Sequence, residues 1–314
     1  MRRAALSIAV ASSCSFAFSG TMAKYLADGG LSPMESVWVR MAGSALLLLG
    51  VLALVRPGAL RIPRSRLPFF VVYAVVAVAG VQALYFAAIT RLPVGVTLLI
   101  EYTSPVLVVL WVRFVRRVRL PRAAYLGAVV AAVGLAVVVE VWAGLALDPL
   151  GLLLAFAAAA CCAGYFLLSD GFGDDIDPLG LIGWGLFGAA VALVPLSRPW
   201  DIPWRAFTRT ADAGGGLALP VWAATLWLIV IATVAAYVLG VIAIRRLSAA
   251  VGATVATLEV IIGAVVAWVL AGEALGFFQI AGGLVVLTGA YLAQRATGDL
   301  PQAAVEAPEP ARAG

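Results

Sequence analysis

Two carboxylates stand where a carboxylate is costly. Glu101 lies seven residues into an apolar stretch that opens at Val94, one turn before Pro105, and Glu259 lies in the middle of another apolar stretch. A charge at the centre of a bilayer-spanning helix costs roughly 2.5–3.5 kcal/mol or more, so acids kept there face the interior of a helix bundle. Two chemistries suit them. One or both bind a substrate amine, or carry a coupling proton by alternating between ionised and neutral forms. A structural role stays open beside these: a protonated acid hydrogen-bonded to a neighbour, holding helices in register. The chain has no histidine, so any proton coupling leans on carboxylates.

Other polar groups inside apolar stretches are fewer. Tyr85, Tyr102 and Tyr165 are candidates for lining a cavity, or for packing with a satisfied hydroxyl. Gln82 and Tyr237 occupy matching positions of the internal repeat described below. Arg40 sits about one turn into a helix; it pairs with Glu35, snorkels outward, or binds a substrate carboxylate. Lys24, Glu140 and Glu273 fall near helix ends and read as interfacial. Cys14, Cys161 and Cys162 lie within apolar stretches and read as small packing residues. The acidic cluster Asp170, Asp174, Asp175 and Asp177 suits a hydrated turn better than a divalent-ion site. No catalytic residue, metal site or cofactor is expected.

The elements that must position these residues are helices in a membrane. Hydrophobic residues make up 64% of the 314 and charged residues 12%, against roughly 45–50% and about 25% in ordinary soluble domains. The apolar residues come in blocks of about twenty, the length that crosses a ~30 Å hydrocarbon layer as a helix. Ten such blocks run near 5–26, 35–55, 68–90, 94–113, 123–142, 150–169, 178–197, 220–244, 249–271 and 276–294. Backbone amides cannot go unpaired in lipid, so each block is expected to be helical. Arg2-Arg3 before an apolar run invites a signal-peptide reading, but a retained first helix is the expectation. The bilayer is thus the expected surrounding and a small molecule the expected ligand.

The net charge of +5 does not point to nucleic acid, because the basic residues cluster in gaps between apolar blocks. Arg56, Arg61, Arg64 and Arg66 form one cluster; Arg113, Arg116, Arg117, Arg119 and Arg122 form the other. With an inside N-terminus both fall on the cytoplasmic side, which leaves only Lys24 and Arg91 outside in the first half. In the second half Arg245 and Arg246 fall inside, while Arg198, Arg205 and Arg209 share the 198–219 loop with Trp200 and Trp204. A multi-pass protein of the inner or plasma membrane with both termini cytoplasmic is expected. Residues 297–314, rich in Ala, Pro and Glu, are expected to be a disordered tail.

The sequence also matches itself. At an offset of 155, Ala88-Ile89-Thr90-Arg91-Leu92 falls on Ala243-Ile244-Arg245-Arg246-Leu247, Gly127 on Gly282 and Gly134 on Gly289. Ser32-Pro33 and Asp177-Pro178 each open a second helix. Residues 1–145 and 146–296 are therefore read as two five-helix units. An odd helix number enters the second unit from the opposite face, so the expected fold is all-α and integral to the membrane, with ten spanning helices as two inverted repeats. Such repeats let one midplane site open to either side. On that axis Glu101 and Glu259 lie on corresponding helices, three residues out of register. The glycines, with Ala124, Ala128 and Ala132 and Ala155, Ala159 and Ala163, read as close-packing faces.

The corner Arg91-Leu92-Pro93 leading to Ile100-Glu101-Tyr102-Thr103-Ser104-Pro105 resembles the EamA-type transporters of the drug/metabolite transporter superfamily. So do Arg246-Leu247-Ser248-Ala249-Ala250, Thr257-Leu258-Glu259 and Gly272-Glu273-Ala274-Leu275, and the likeness covers about residues 5–295. The resemblance implies a ten-helix inner-membrane carrier, commonly an exporter of amino acids or other small metabolites. Val260 departs from it, standing where the second unit often has proline. A membrane-embedded enzyme and a non-transporting scaffold are the alternatives, and nothing sets the substrate or the oligomeric state. No GxxxxGK[ST] phosphate loop is present, so ATP-driven pumping by this chain alone is excluded.

Overall fold

The structure is a computed structural model that describes residues 2–115, 117, 120–138, 147–170, 177–246 and 249–298. Glu140, Asp174, Asp175, the corner at 247–248 and the tail from 299 onward lie outside the described residues.

Each apolar block is helical where described. The helices are α1 (Arg2–Ala17), α2 (Ser19–Asp28), α3 (Pro33–Val55), α4 (Leu67–Val72), α5 (Val81–Ala88), α6 (Val94–Glu101) and α7 (Ser104–Phe114). They continue with α8 (Arg122–Val138), α9 (Pro149–Asp170), α10 (Pro178–Ser197), α11 (Val221–Ile229), α12 (Ala236–Arg246), α13 (Ala249–Ala271) and α14 (Phe277–Gly298). Among the described residues, five helical runs are long and apolar enough to cross a membrane: Pro33–Val55, Arg64–Ala88, Val94–Phe114, Pro178–Ser197 and Val221–Gly240. The last helix carries Thr297 and Gly298, so that end of the expected tail is ordered as helix.

Local chemistry sets the helix starts. Ser32 and Glu35 form a reciprocal capping box at α3, with Pro33 in the first turn where no backbone donor is missed. Asp177 caps α10 by accepting from the Leu179 amide at 2.9 Å, again followed by proline. The α6–α7 break follows from Pro105: it has no N–H to give the Glu101 carbonyl, so the helix ends at Glu101 and restarts at Ser104. Its counterpart α13 has Val260 at that position and runs unbroken from Ala249 to Ala271.

Two features depart from plain α-helix. A π-helical stretch, Tyr73–Gly80, joins α4 to α5, and another, Val230–Ala235, joins α11 to α12. At the repeat offset of 155, Val75–Gly80 falls on Val230–Ala235, so both units widen at one register. The loop before α11 also holds an antiparallel hairpin, β1 (Thr210–Asp212) with β2 (Ala218–Pro220), which the all-helical expectation did not include.

Packing follows the repeat. α3 lies against α10 and α8 against α14; α1 packs on α12 and α13, as its counterpart α9 packs on α5 and α6. The α8–α14 contact is backbone on backbone. A Cβ on Gly134 would sit 2.8 Å from the Gly282 carbonyl oxygen, and one on Gly289 would sit 2.6 Å from that of Gly127. The close-packing face read from the sequence is therefore used, and the two helices run antiparallel with reciprocal partners. The hairpin covers one end of the bundle, where the Tyr25 hydroxyl donates to the Leu217 carbonyl at 2.9 Å. The opposite, arginine-rich end carries the Arg56–Asp177 ion pair at 3.0 Å.

Candidate functional site

Arg40 anchors the site. It is 1% exposed and makes four hydrogen bonds. Its Nε donates to Thr233 Oγ1 at 2.8 Å; Nη1 donates to Ser19 Oγ at 2.7 Å and to Gln82 Oε1 at 2.5 Å; Nη2 donates to the Ala232 carbonyl at 3.2 Å. The Phe86 ring lies 5.5 Å from the guanidinium carbon, a cation–π contact in a dry setting. The expected pairing with Glu35 and the outward snorkel are both corrected: Glu35 is spent on the helix cap, and the guanidinium turns inward. The reason is the π stretch. A π turn leaves a carbonyl without its usual i+4 amide, and a buried carbonyl needs a donor. Thr233 Oγ1 donates back to the Leu228 carbonyl at 2.7 Å, and Ser44 Oγ reaches the Ile229 carbonyl at 3.4 Å. Arg40 closes the set at Ala232.

The same contact recurs in the other half without the charge. Counting from the paired helix openings at Ser32 and Asp177, Gly185 takes the place of Arg40. A Cβ on Gly185 would meet Tyr73 Cε1 at 3.0 Å and Val78 Cγ2 at 3.4 Å. Val78 is the offset-155 partner of Thr233.

The carboxylates lie beside the α6–α7 break. Tyr102, the first residue past α6, donates its hydroxyl to Glu259 Oε2 at 2.8 Å, a bond between the two repeats. Glu101 closes α6, so its side chain adds to the negative end of that helix dipole. Glu101, Tyr102 and Glu259 are partly exposed inside the bundle, as are Gln82, Tyr165 and Tyr237, whereas Tyr85 is buried. Glu101, Glu259, Tyr85 and Tyr237 all lie within electrostatic reach of Arg40, and Tyr165 within reach of Tyr237. The Tyr85 hydroxyl has no hydrogen-bond partner among the described residues. Gln82 meets Arg40, Tyr102 meets Glu259, and Tyr165 packs 6.0 Å from Tyr73. The residues singled out in the sequence thus share one interior. Within it, the Arg40 guanidinium is the positive charge in electrostatic range of Glu101 and Glu259.

Some participants gave no sequence signal. Ser19 and Thr233 look like ordinary small polar residues of a membrane helix until the π register is known. Lys24 and Glu273, read as interfacial, form a part-buried ion pair, and Glu273 Oε2 also accepts from the Val94 amide at 2.8 Å. That pair ties α2 and the start of α6 to the α13–α14 corner at the hairpin end.

The sequence profile of the EamA-like transporter family matches residues 3–140 and again 149–294. The chain belongs to that family. It is a multi-pass membrane protein of two EamA repeats, and the family is one of transporters. Among solved structures, one crystal structure of a protein is similar over 94% of this chain and 98% of its own. The TM-score is 0.64 at 18% identity, a likeness of fold. No curated protein matches.

Proposed function

We propose that this EamA chain is a secondary transporter that moves small metabolites, exporting amino acids or related compounds, by alternating access with proton coupling. In this reading ten spanning helices form two inverted five-helix repeats, units 1–145 and 146–296. The protein lies in the inner or plasma membrane with both termini cytoplasmic. The antiparallel, reciprocal glycine contacts of α8 and α14 support inversion. The arginines at the end opposite the hairpin support the orientation.

The observation that carries the reading is the meeting of Glu101, Tyr102 and Glu259 at a helix break. Broken helices put backbone carbonyls and a negative helix end at the midplane, where they suit a cation or a proton. The ammonium of an amino acid fits at Glu101 and the end of α6; Glu259, held by Tyr102 from the other repeat, senses the same charge. A proton and an ammonium then compete for one interior, which is what exchange requires. Metal and cofactor play no part in this reading, and the chain is read as a carrier and not an enzyme.

The test is flux in reconstituted vesicles, with and without an imposed pH gradient, for wild type, Glu101→Gln and Glu259→Gln, over amino acids and related metabolites. Gradient-driven flux in wild type, lost in either variant, is the expected result. Unchanged flux in both well-folded variants would make the acids structural and sink the site assignment.

A further inference from the structure

The repeat is broken in one place that faces the bilayer. In the first unit Val109, Leu120 and Ala124 are buried, and Tyr125 and Leu167 pack over them. At the offset of 155 these positions become Ala264, Leu275 and Gln279, with Ile280 in place of Tyr125. The valine wall has shrunk to alanine and the tyrosine lid is gone. A groove of about 510 Å³ opens there between α13 and α14. Leu99 and Val260 form part of its wall, 3% and 2% exposed, and they are close neighbours in sequence of Glu101 and Glu259. Its rim is Val265, Trp268 and Leu284, each more than half exposed.

We propose that this groove holds one acyl chain of a bilayer phospholipid. The occupant follows from the surroundings. α13 and α14 are apolar helices of a multi-pass membrane protein, and the rim residues are large, apolar and exposed, as a surface that faces hydrocarbon is. A void loses the dispersion contacts of every atom lining it, and water does not fill an apolar hollow of this kind. The first unit fills the same space with its own side chains, so the fold calls for matter there. Among the described residues that line it, Gln279, at the corner that starts α14, is the one with a polar amide, and Trp268 lies on the rim. Such residues suit a chain entering from the headgroup level of the leaflet at the hairpin end.

The test uses the full chain, purified from its membrane in mild detergent, with bound phospholipid counted by native mass spectrometry. Two variants close the groove: Ala264→Phe fills it from the wall, and Ile280→Tyr restores the residue that packs over the matching cluster of the first unit. Wild type is expected to retain one phospholipid per chain, and each folded variant at least about tenfold less, the factor that 1.4 kcal/mol of lost binding gives. Quenching of Trp268 by phospholipids brominated on the acyl chain, read as the difference between wild type and Trp268→Phe, is expected to fall in parallel. Equal lipid retention in wild type and a folded variant overturns the proposal. So does a wild type that retains none, or one that holds only detergent.

Discussion

At the scale of single residues, Arg40 is the group on which most depends. Its four hydrogen bonds draw on all three guanidinium nitrogens, and an ammonium cannot reproduce that fork. Arg40→Ala leaves Gln82, Thr233 and the Ala232 carbonyl short of a donor, and is expected to cost about 3–5 kcal/mol, the range for breaking a buried charge network. Arg40→Lys is expected to recover only part of that loss; thermal unfolding in detergent checks both. A different residue contributes to acid stability outside the spans. Asp148 accepts from the Gly151 amide at 2.7 Å and pairs with Arg91 at 3.3 Å. The amide first, then the nearby guanidinium, hold its carboxyl below the ordinary Asp value. The sign is therefore fixed: the contribution is complete above the unfolded Asp value and fades as pH falls through the lower folded one. Asp148→Asn is expected to remove that acid-side decline, seen as a flatter melting temperature below about pH 4.

At the scale of elements, the helices were legible because each had to bury its own backbone in lipid, and Pro, Gly and Asp punctuated the gaps. The α6–α7 break was legible at Pro105, and its absence at Val260. The π stretches were not. In helices apolar all round, no periodic face shows where one extra residue enters a turn, and Thr233 and Ser19 carry no mark of the work they do there. The hairpin was hidden for a related reason: two three-residue strands leave too short a pattern. The acids were visible because charge is rare in such helices, but the Tyr102–Glu259 bond needed the fold. The corner after α7 carries its own strain. Arg117 has a left-handed backbone, φ 55°, where its counterpart Gly272 has φ 66°. Relief of about 1–2 kcal/mol of steric cost, less roughly 0.5–1 for the freer unfolded glycine, sets the net. Arg117→Gly is thus expected to stabilise by about 0.5–1 kcal/mol, read from the melting temperature.

At the scale of the molecule, ion pairs tie the units together at the hairpin end. Lys24–Glu273 joins α2 to the α13–α14 corner, and Arg91–Asp148 joins the α5–α6 corner to the start of α9. The hairpin packs over the same end, through the Tyr25–Leu217 hydrogen bond. Lys24→Met or Glu273→Gln is expected to loosen it, and spin labels placed across the hairpin end should report a longer, broader distance distribution. An unchanged distribution in both variants would mean that the hairpin alone holds that end together.

The substitution of Gly185 for Arg40 at matching positions has a consequence for how the molecule spends its time. Two identical halves could exchange roles, and their two extreme shapes would be equally populated in the absence of ligand. One half grips its partner's widened helix with a cation and the other with bare backbone, so the two shapes differ in energy. A difference of 1.4 kcal/mol already places ten molecules in one for each in the other. In the alternating-access reading proposed above, the carrier therefore has a resting side, to which this unmatched arginine contributes.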